Sequence, residues 1–269
     1  MQQDPIRRNN VRVMGSGRRT LVLAHGFGCD QQAWRRMAPA LALDHRVVLF
    51  DYVGSGGSDH SAYDARRYAD LHGYAQDLLD VCAALDLRDA VLVGHSVSGM
   101  VGLLAALRQP ALFERLVMIG PSPRYLDDPP GYRGGFRPDD VAELLELMAR
   151  NDQAWAGFLA PVAMCNADRP ELARELGEMF CAGDPATTRG FARAVFACDH
   201  RAELPLLPRP VLLLQCRDDI IAPEVVGDYM HRHLPHSTLV HLQAGGHCPH
   251  MSHPHETAAA IRSWLAGPG

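Results

Sequence analysis

Clusters of positive charge are missing from this sequence of 269 residues, whose formal net charge is -5. Lys and Arg form no stripe along it. Nucleic acids and anionic membrane surfaces are bound through such clusters. We therefore exclude nucleic acid and membrane surfaces as partners.

Long apolar runs and paired cysteines are also missing. The chain has no run of about 18 apolar residues and no apolar segment behind the charges of residues 1–8, so we predict neither a membrane span nor a secretory signal. The seven cysteines are an odd number and contain no CxxC pair, which favours a reducing, cytoplasmic compartment.

Short apolar runs alternate with helical patterns along most of the chain. Val/Leu runs of this kind are typical of strands buried on both faces, so we expect an α/β fold with a mostly parallel sheet flanked by helices. A glycine-rich break at 15–17 indicates an N-terminal hairpin. The predicted strands lie at 20–24, 46–50, 90–93, 116–119, 211–215 and 237–242.

The alternation stops between about residues 121 and 207, where helical signals occur without a convincing strand. Pro138, Pro170 and Pro185 each lie beside an acidic residue that suits a helix start. We predict a helical lid over residues 122–207, inserted into an α/β core formed by residues 1–121 and 208–269.

A serine lies where a predicted strand turns into a helix. Residues 94–99 read Gly-His-Ser-Val-Ser-Gly, directly after an apolar run. Such a nucleophile elbow exposes the serine oxygen and directs the N–H groups of the new helix at a bound carbonyl. The usual motif is Gly-x-Ser-x-Gly, and its fifth position here is Ser98. Taken alone, the pentapeptide also fits a turn without chemistry.

An acid and a histidine follow Ser96 in the order expected for this architecture. A serine hydroxyl needs a base to take its proton and a carboxylate to orient that base. We predict His247 as the base and Asp219 as the acid, because both follow predicted parallel strands at their carboxyl ends. The Asp-x-x-x-Pro spacing to Pro223 favours Asp219, and Asp218 remains the alternative.

An oxyanion hole requires two N–H donors near the nucleophile. The sequence His-Gly-Phe-Gly at 25–28 follows the first predicted strand, and its glycines allow a close approach of the backbone. We predict the backbone N–H groups of Phe27 and Val97 as the two donors.

Other chemistries fit the sequence less well. Histidines crowd the C-terminal quarter, but their spacing contains no helical His-x-x-x-His pair, so we predict no metal site. The glycine-rich segment 54–58 lacks the Lys-Ser/Thr of a phosphate-binding loop, and we predict no cofactor. We interpret His95 as a packing or hydrogen-bonding histidine, because the elbow turns its side chain away from Ser96.

Apolar residues of the lid predict a hydrophobic ceiling over Ser96. Trp155 and Phe158 share one helical face, and Phe191, Val195 and Phe196 share another. For any one of these residues, packing between lid helices is the better explanation. Packing and a ceiling over Ser96 are compatible with each other. The predicted pocket residues are Phe27, Tyr125, Phe136, Trp155, Phe158, Val195, Phe196 and Ile220.

Five stretches carry a resemblance to a known family: 25–31, 94–100, 118–125, 214–216 and 246–252. The sequence resembles the α/β-hydrolase superfamily and, more narrowly, the RsbQ-type bacterial stress-response regulators and the plant receptors for strigolactones and karrikins. Serine at the fifth elbow position is shared with that group. The resemblance implies an eight-stranded core, a four-helix lid, a triad of Ser96, Asp219 and His247, and a pocket for a small apolar or butenolide-like ligand.

Two functions follow as hypotheses. The first is a cofactor-free serine hydrolase that cleaves a small apolar ester or lactone through an acyl-enzyme. A serine at the elbow argues against dehalogenase and epoxide hydrolase chemistry, whereas carbon–carbon bond hydrolysis and perhydrolysis stay open. The second is a ligand sensor with slow hydrolysis, for which the resemblance to RsbQ implies a PAS-domain phosphatase as partner. An inactive scaffold is the third, least favoured interpretation.

Overall fold

The computed structural model describes residues 4–267, and within them seven strands form one sheet. The strands are β1 (Arg12–Met14), β2 (Thr20–Ala24), β3 (Arg46–Leu49), β4 (Ala90–His95), β5 (Phe113–Ile119), β6 (Val211–Arg217) and β7 (Ser237–Gly245). The order across the sheet is β1-β3-β2-β4-β5-β6-β7, and all neighbours are parallel except β1 and β3. The predicted fold class is therefore confirmed.

Two expectations about the sheet need correction. The resemblance implied eight strands, and the described residues contain seven. The N-terminal hairpin is wrong, because β1 pairs with β3 and not with β2. Both edges of β2 are already occupied by β3 and β4, so β1 cannot pair with β2 and instead adds to the outer edge of β3. Gly15 and Gly17 let the chain cross closely over the carbonyl groups of Asp44 and His45 to reach that edge.

Helices cover both faces of the sheet, and alternate strand residues face opposite sides. On β4, Leu92 packs in one apolar core with α3 (Leu71–Ala84) and α4 (Val97–Arg108). Val91 and Val93 pack in a second core with α2 (Ala38–Leu41) and α11 (Pro254–Ala266). Burial on both faces explains the continuous apolar runs. The helices are α1 (Pro5–Arg8), α2 (Ala38–Leu41), α3 (Leu71–Ala84), α4 (Val97–Arg108), α5 (Pro138–Arg150), α6 (Asp152–Met164), α7 (Pro170–Ala182), α8 (Pro185–Ala197), α9 (Glu224–His233), α10 (Pro249–Ser252) and α11 (Pro254–Ala266).

Four helices, α5 to α8, lie between β5 and β6. Pro138, Pro170 and Pro185 are the first residues of three of them, as their position beside acidic residues predicts. The start of α6 was not predicted; there the side chain of Asn151 accepts hydrogen bonds from the backbone of residues 153 and 154. The division of the chain into a core and a lid domain stays a prediction.

The four helices share the larger apolar core with the sheet. A charged contact joins α7 to the loop after β2, where Glu175 forms ion pairs with Arg35 at 2.5 Å and with Arg36 at 2.6 Å. Within residues 4–267, the structure has no helix with the length and apolar character that crossing a bilayer requires.

Candidate active site

Ser96 lies between the end of β4 and the start of α4. Its backbone has φ 56° and ψ -125°, a conformation that side-chain-bearing residues rarely adopt. A hydrogen bond of 2.8 Å from its N–H to the carbonyl of Ile119 on β5 holds this turn in place. A Cβ atom on Gly94 would lie 2.5 Å from the carbonyl oxygen of Ser98, so the turn requires glycine there. This is the geometry of a nucleophile elbow.

The serine at the fifth elbow position has a structural role. Ser98 Oγ donates to the carbonyl of His25 at 2.5 Å and accepts from the hydroxyl of Tyr52 at 2.8 Å. These bonds join the elbow to the loop that follows β2. Ser98 therefore supplies a connection that glycine lacks.

Three side chains predicted from the sequence lie in one hydrogen-bonded line. Ser96 Oγ is 2.8 Å from His247 Nε2, and His247 Nδ1 is 2.8 Å from Asp219 Oδ2. The other oxygen of Asp219 accepts from the backbone N–H groups of Ile221 and Ala222, which fixes the carboxylate. All three triad residues are buried, whereas the alternative acid, Asp218, is exposed. The contact with His247 therefore belongs to Asp219.

The backbone of His247 is held from two sides. Its N–H donates to the carbonyl of Ala163 on α6 at 2.7 Å, and its carbonyl accepts from His95 Nε2 at 2.9 Å. Burial lowers the pKa of His95 well below its usual value, so its ring stays neutral and the proton on Nε2 serves this bond. His95 is thus a hydrogen-bonding histidine, as interpreted from the sequence.

A glycine that sequence reasoning missed gives the triad its space. Gly120, at the end of β5, has φ 54°. A Cβ atom there would lie 3.2 Å from His247 Nδ1 and 3.3 Å from Asp219 Oδ2. The signal in the sequence was a glycine directly after a buried strand, which was visible but not interpreted.

The two predicted oxyanion donors leave neighbouring strands at the same edge of the sheet. Phe27 follows β2, and Val97 follows β4 as the first residue after Ser96. The two strands are adjacent and parallel, with Ala24 opposite Gly94. A Cβ on Gly26 would lie 2.5 Å from the ring of His95, so this loop packs closely against the elbow. The donor roles of Phe27 and Val97 stay predictions.

A small apolar cavity of about 50 Å³ lies over the triad. Ser96 and His247 are in its wall, together with four residues of the predicted pocket. Those four are Phe27, Tyr125, Val195 and Phe196. Helices α6 and α7 add wall residues that sequence reasoning missed, among them Leu159, Ala163, Leu176 and Phe180.

Comparison with known proteins gives the family of the chain. The sequence profile described as "Alpha/beta hydrolase family" matches residues 21–260. The chain belongs to the alpha/beta hydrolase family. The predicted membership, and with it the prediction of a hydrolase, is confirmed.

Proteins from plants and a bacterium match this chain almost end to end. The chain is 39% identical over 246 residues to "Strigolactone esterase RMS3" of Pisum sativum, with 91% of this chain and 92% of the relative covered. It is 37% identical over 251 residues to "Karrikin insensitive 2 receptor CA" of Petunia hybrida, with 91% of each covered. The solved structure of a hydrolase from Oleispira antarctica has a TM-score of 0.96 and 40% identity, and the match covers 98% of this chain and 97% of that one.

Four predicted pocket residues of this hydrolase lie outside the cavity wall. Trp155 is buried one layer behind it and stacks on Phe180 with ring centroids 4.9 Å apart. Phe136 packs against Phe196 from outside, at 5.4 Å. These two residues support the wall without forming it.

Phe158 and Ile220 require a further correction. They are 61% and 48% exposed and line an outer groove of about 470 Å³. Their neighbours Leu159 and Ile221 line both this groove and the cavity. Successive residues of a helix point about 100° apart, so a one-residue difference on α6 decides between the interior and the outside.

Two cysteines also line the cavity of the hydrolase. Burial raises the pKa of Cys29 to about 12 and that of Cys248 well above its usual value. Their thiols therefore stay protonated at neutral pH and are poor nucleophiles.

Among residues 4–267, no group of three or more His, Cys, Asp or Glu side chains is arranged to hold a metal ion. The cytoplasmic location stays a prediction.

Proposed function

We propose that the chain is a serine carboxylic-ester hydrolase that cleaves small apolar esters or lactones through an acyl-enzyme on Ser96. The observation that carries this proposal is the unbroken line of 2.8 Å contacts from Asp219 through His247 to Ser96. A hydroxyl becomes an effective nucleophile when a positioned imidazole takes its proton and a carboxylate orients that imidazole.

Acylation begins at the Ser96 hydroxyl. His247 Nε2 takes the hydroxyl proton while Oγ forms a bond to the substrate carbonyl carbon. The carbonyl oxygen becomes an oxyanion, which the backbone N–H groups of Phe27 and Val97 stabilise. The tetrahedral intermediate then breaks its bond to the leaving oxygen, and that oxygen receives the proton from His247. For a lactone the leaving hydroxyl stays attached to the acyl group.

Deacylation repeats these steps with water as the nucleophile. His247 takes a proton from water, and the hydroxide adds to the acyl carbon. The carbon–Oγ bond breaks, and Oγ recovers its proton from His247 as the acid leaves. Asp219 keeps its hydrogen bond to His247 and stabilises the imidazolium in both halves of the cycle.

The cavity walls support the substrate class. The walls are mainly aliphatic and aromatic, and burying a charged group among such side chains is costly. Uncharged, small apolar acyl groups therefore fit best. The name "Strigolactone esterase" of a relative in Arabidopsis thaliana, 38% identical over 257 residues, supports an ester or butenolide-like lactone.

Hydrolysis of short-chain nitrophenyl esters tests this function. We expect Ser96→Ala to lower kcat by about 10⁴-fold or more, because the nucleophile is lost. A fluorophosphonate probe should add one adduct to the wild type, on Ser96, and none to the variant. Equal melting temperatures control for folding. Activity that survives in a folded Ser96→Ala variant contradicts the assignment.

As a second candidate function, we propose ligand sensing with slow turnover. The favouring observation is the 2.7 Å bond from the backbone N–H of His247 to Ala163 on α6, which connects the base directly to the helices above it. A change at the triad therefore has a route to the outer surface. The receptor relatives from Petunia hybrida support this candidate.

Hydrogen exchange tests the sensing candidate. Acylation or ligand binding should change the exchange of α5 to α8, and a PAS-domain phosphatase, the partner suggested for RsbQ-type proteins, should then bind. Unchanged exchange in these helices on full occupancy contradicts sensing and leaves hydrolysis as the function.

A further inference from the structure

The nucleophile has a second hydrogen-bond partner besides His247. The hydroxyl of Tyr125 lies 3.1 Å from Ser96 Oγ. Tyr125 is 1% exposed and comes from the segment between β5 and α5, so it approaches the serine from outside the sheet. The triad mechanism makes no use of this hydroxyl.

Counting protons fixes the direction of this bond. In the proposed mechanism the Asp219 carboxylate accepts from the ring N–H of His247, which places the proton of the resting imidazole on Nδ1. His247 Nε2 is then an acceptor, and it takes the single proton of the Ser96 hydroxyl. Tyr125 must therefore donate to Oγ. Burial raises the pKa of the Tyr125 phenol, so the donor proton is retained at neutral and mildly alkaline pH.

The backbone and ring of Tyr125 are held firmly. Its carbonyl accepts from the N–H of Phe136 at 3.1 Å, and its ring packs edge-on against Phe196 of α8 with centroids 5.9 Å apart. A Cβ atom on Gly134 would lie 2.4 Å from the same carbonyl, so the two segments of this loop that contain Tyr125 and Gly134 pack tightly. The donor is thus oriented before the reaction begins.

We propose that Tyr125 is a further catalytic residue that stabilises Ser96 Oγ as the leaving oxygen when the acyl-enzyme breaks down. This inference rests on the proposed function. In the deacylation intermediate the carbon–Oγ bond breaks and its electron pair goes to Oγ. His247 Nε2 gives its proton to Oγ, while Tyr125 keeps its own proton and donates a hydrogen bond throughout.

The hydrogen bond from Tyr125 to Ser96 Oγ contributes differently to acylation and to deacylation. In the acyl-enzyme, Oγ is the bridging oxygen of an ester and a weak acceptor, and during deacylation it gains negative charge. The bond to Tyr125 therefore strengthens toward that transition state, which is the condition for catalysis. In acylation the free hydroxyl of Ser96 already accepts this bond in the ground state, so the gain is smaller.

Pre-steady-state hydrolysis of p-nitrophenyl acetate by Tyr125→Phe tests the proposal. The variant keeps the ring and removes only the hydroxyl. We expect steady-state kcat to fall by about 10- to 100-fold, with the acylation rate constant changed less than about threefold. The nitrophenolate burst should rise to about one per enzyme, and mass spectrometry should find the acetyl group on Ser96.

Tyr132→Phe is the matched control. The Tyr132 hydroxyl donates to the carbonyl of Arg124 in the same loop but does not bond to Ser96. A loosened loop would slow both variants alike, whereas the proposal expects acyl-enzyme to accumulate only in Tyr125→Phe.

The outcomes separate this inference from the function on which it rests. Unchanged kcat in Tyr125→Phe, or acylation and deacylation slowed in parallel, overturns the role of Tyr125 while hydrolysis by the wild type stands. A wild type that releases no nitrophenolate, or is not acylated on Ser96, overturns both.

Discussion

The floor of the cavity is held by hydrogen bonds at strand ends, whereas its roof is held by contacts between apolar side chains. The floor consists of Ser96, Asp219 and His247, which follow β4, β6 and β7. Ser96 and His247 are fixed by hydrogen bonds to neighbouring elements, and Asp219 by backbone N–H groups of its own loop. The roof comes from α6, α7 and α8, whose cavity-lining side chains are apolar and meet through packing.

This difference follows from what each region has to do. Proton transfer requires donor and acceptor within hydrogen-bond distance, so small displacements in the floor are costly. The roof has to exclude water and fill volume, which many arrangements of apolar residues achieve. We therefore expect substitutions in the floor to affect mainly rate, and those in the roof mainly stability and substrate size.

The largest expected effect is in the floor, at Asp219. Asp219→Asn should lower kcat by about 10⁴-fold, because an amide no longer holds His247 in the tautomer that accepts from Ser96. Asp218→Asn is the matched control; this neighbour is exposed, and its φ of 51° suits asparagine. We expect it to keep near wild-type kcat in nitrophenyl ester assays. Equal losses of kcat in the two variants would contradict the assignment of Asp219, rather than Asp218, as the carboxylate that orients His247.

In the roof, Phe196 and Phe158 form a matched pair. Phe196 is 6% exposed and lines the cavity, whereas Phe158 is 61% exposed. Phe196→Ala should lower the free energy of unfolding by about 3 kcal/mol and shift activity toward bulkier acyl groups. Phe158→Ala should change the free energy of unfolding by no more than about 0.5 kcal/mol. Urea unfolding measures both, and a comparable loss for Phe158→Ala would show that the exposed face is also packed.

The smallest effect concerns the layer beneath the floor, where His250 lies between Trp34 and His95. Burial lowers the pKa of His250 to about 3. The unfolded chain binds this proton near pH 6.5, so stability falls as the pH drops below about 6.5 and continues to fall toward 3.

Between pH 7 and 4.5 we expect the wild type to lose about 2 kcal/mol more stability than His250→Phe, which cannot take up this proton. Urea midpoints at the two pH values give the comparison. Carboxylates titrate in both proteins, so the difference isolates the histidine. An identical loss in the variant would mean that His250 is protonated in the folded state.

The sequence predicted the strands well because burial on both faces leaves a local signature. Six predicted runs coincide with strands to within a few residues at their ends, including 20–24, which matches β2. The pairing of β1 with β3 could not be predicted from the sequence, since it depends on which strand edge is free in the assembled sheet. A glycine-rich segment is typical both of a hairpin turn and of a loop that crosses the chain closely, so it does not distinguish between them.

The pocket was predicted less well than the triad. Phe158 and Leu159, like Ile220 and Ile221, are adjacent apolar residues, and the sequence alone does not say which of each pair faces inward. The apolar periodicity of a helix between β5 and β6 indicates one buried face, which can pack against the neighbouring helices or line the cavity. Trp155 illustrates this, because it is buried as predicted but against Phe180 and Phe27 in a layer outside the wall.

The sequence by itself determined the strand succession, the elbow at residues 94–99 and the chain order of serine, acid and histidine, because each is encoded in contiguous residues. Only the tertiary structure decided that Asp219 rather than Asp218 meets His247, that Gly120 leaves room for them, and that Tyr125 contacts Ser96. These are contacts between segments distant along the chain, and they depend on how the sheet and helices pack together.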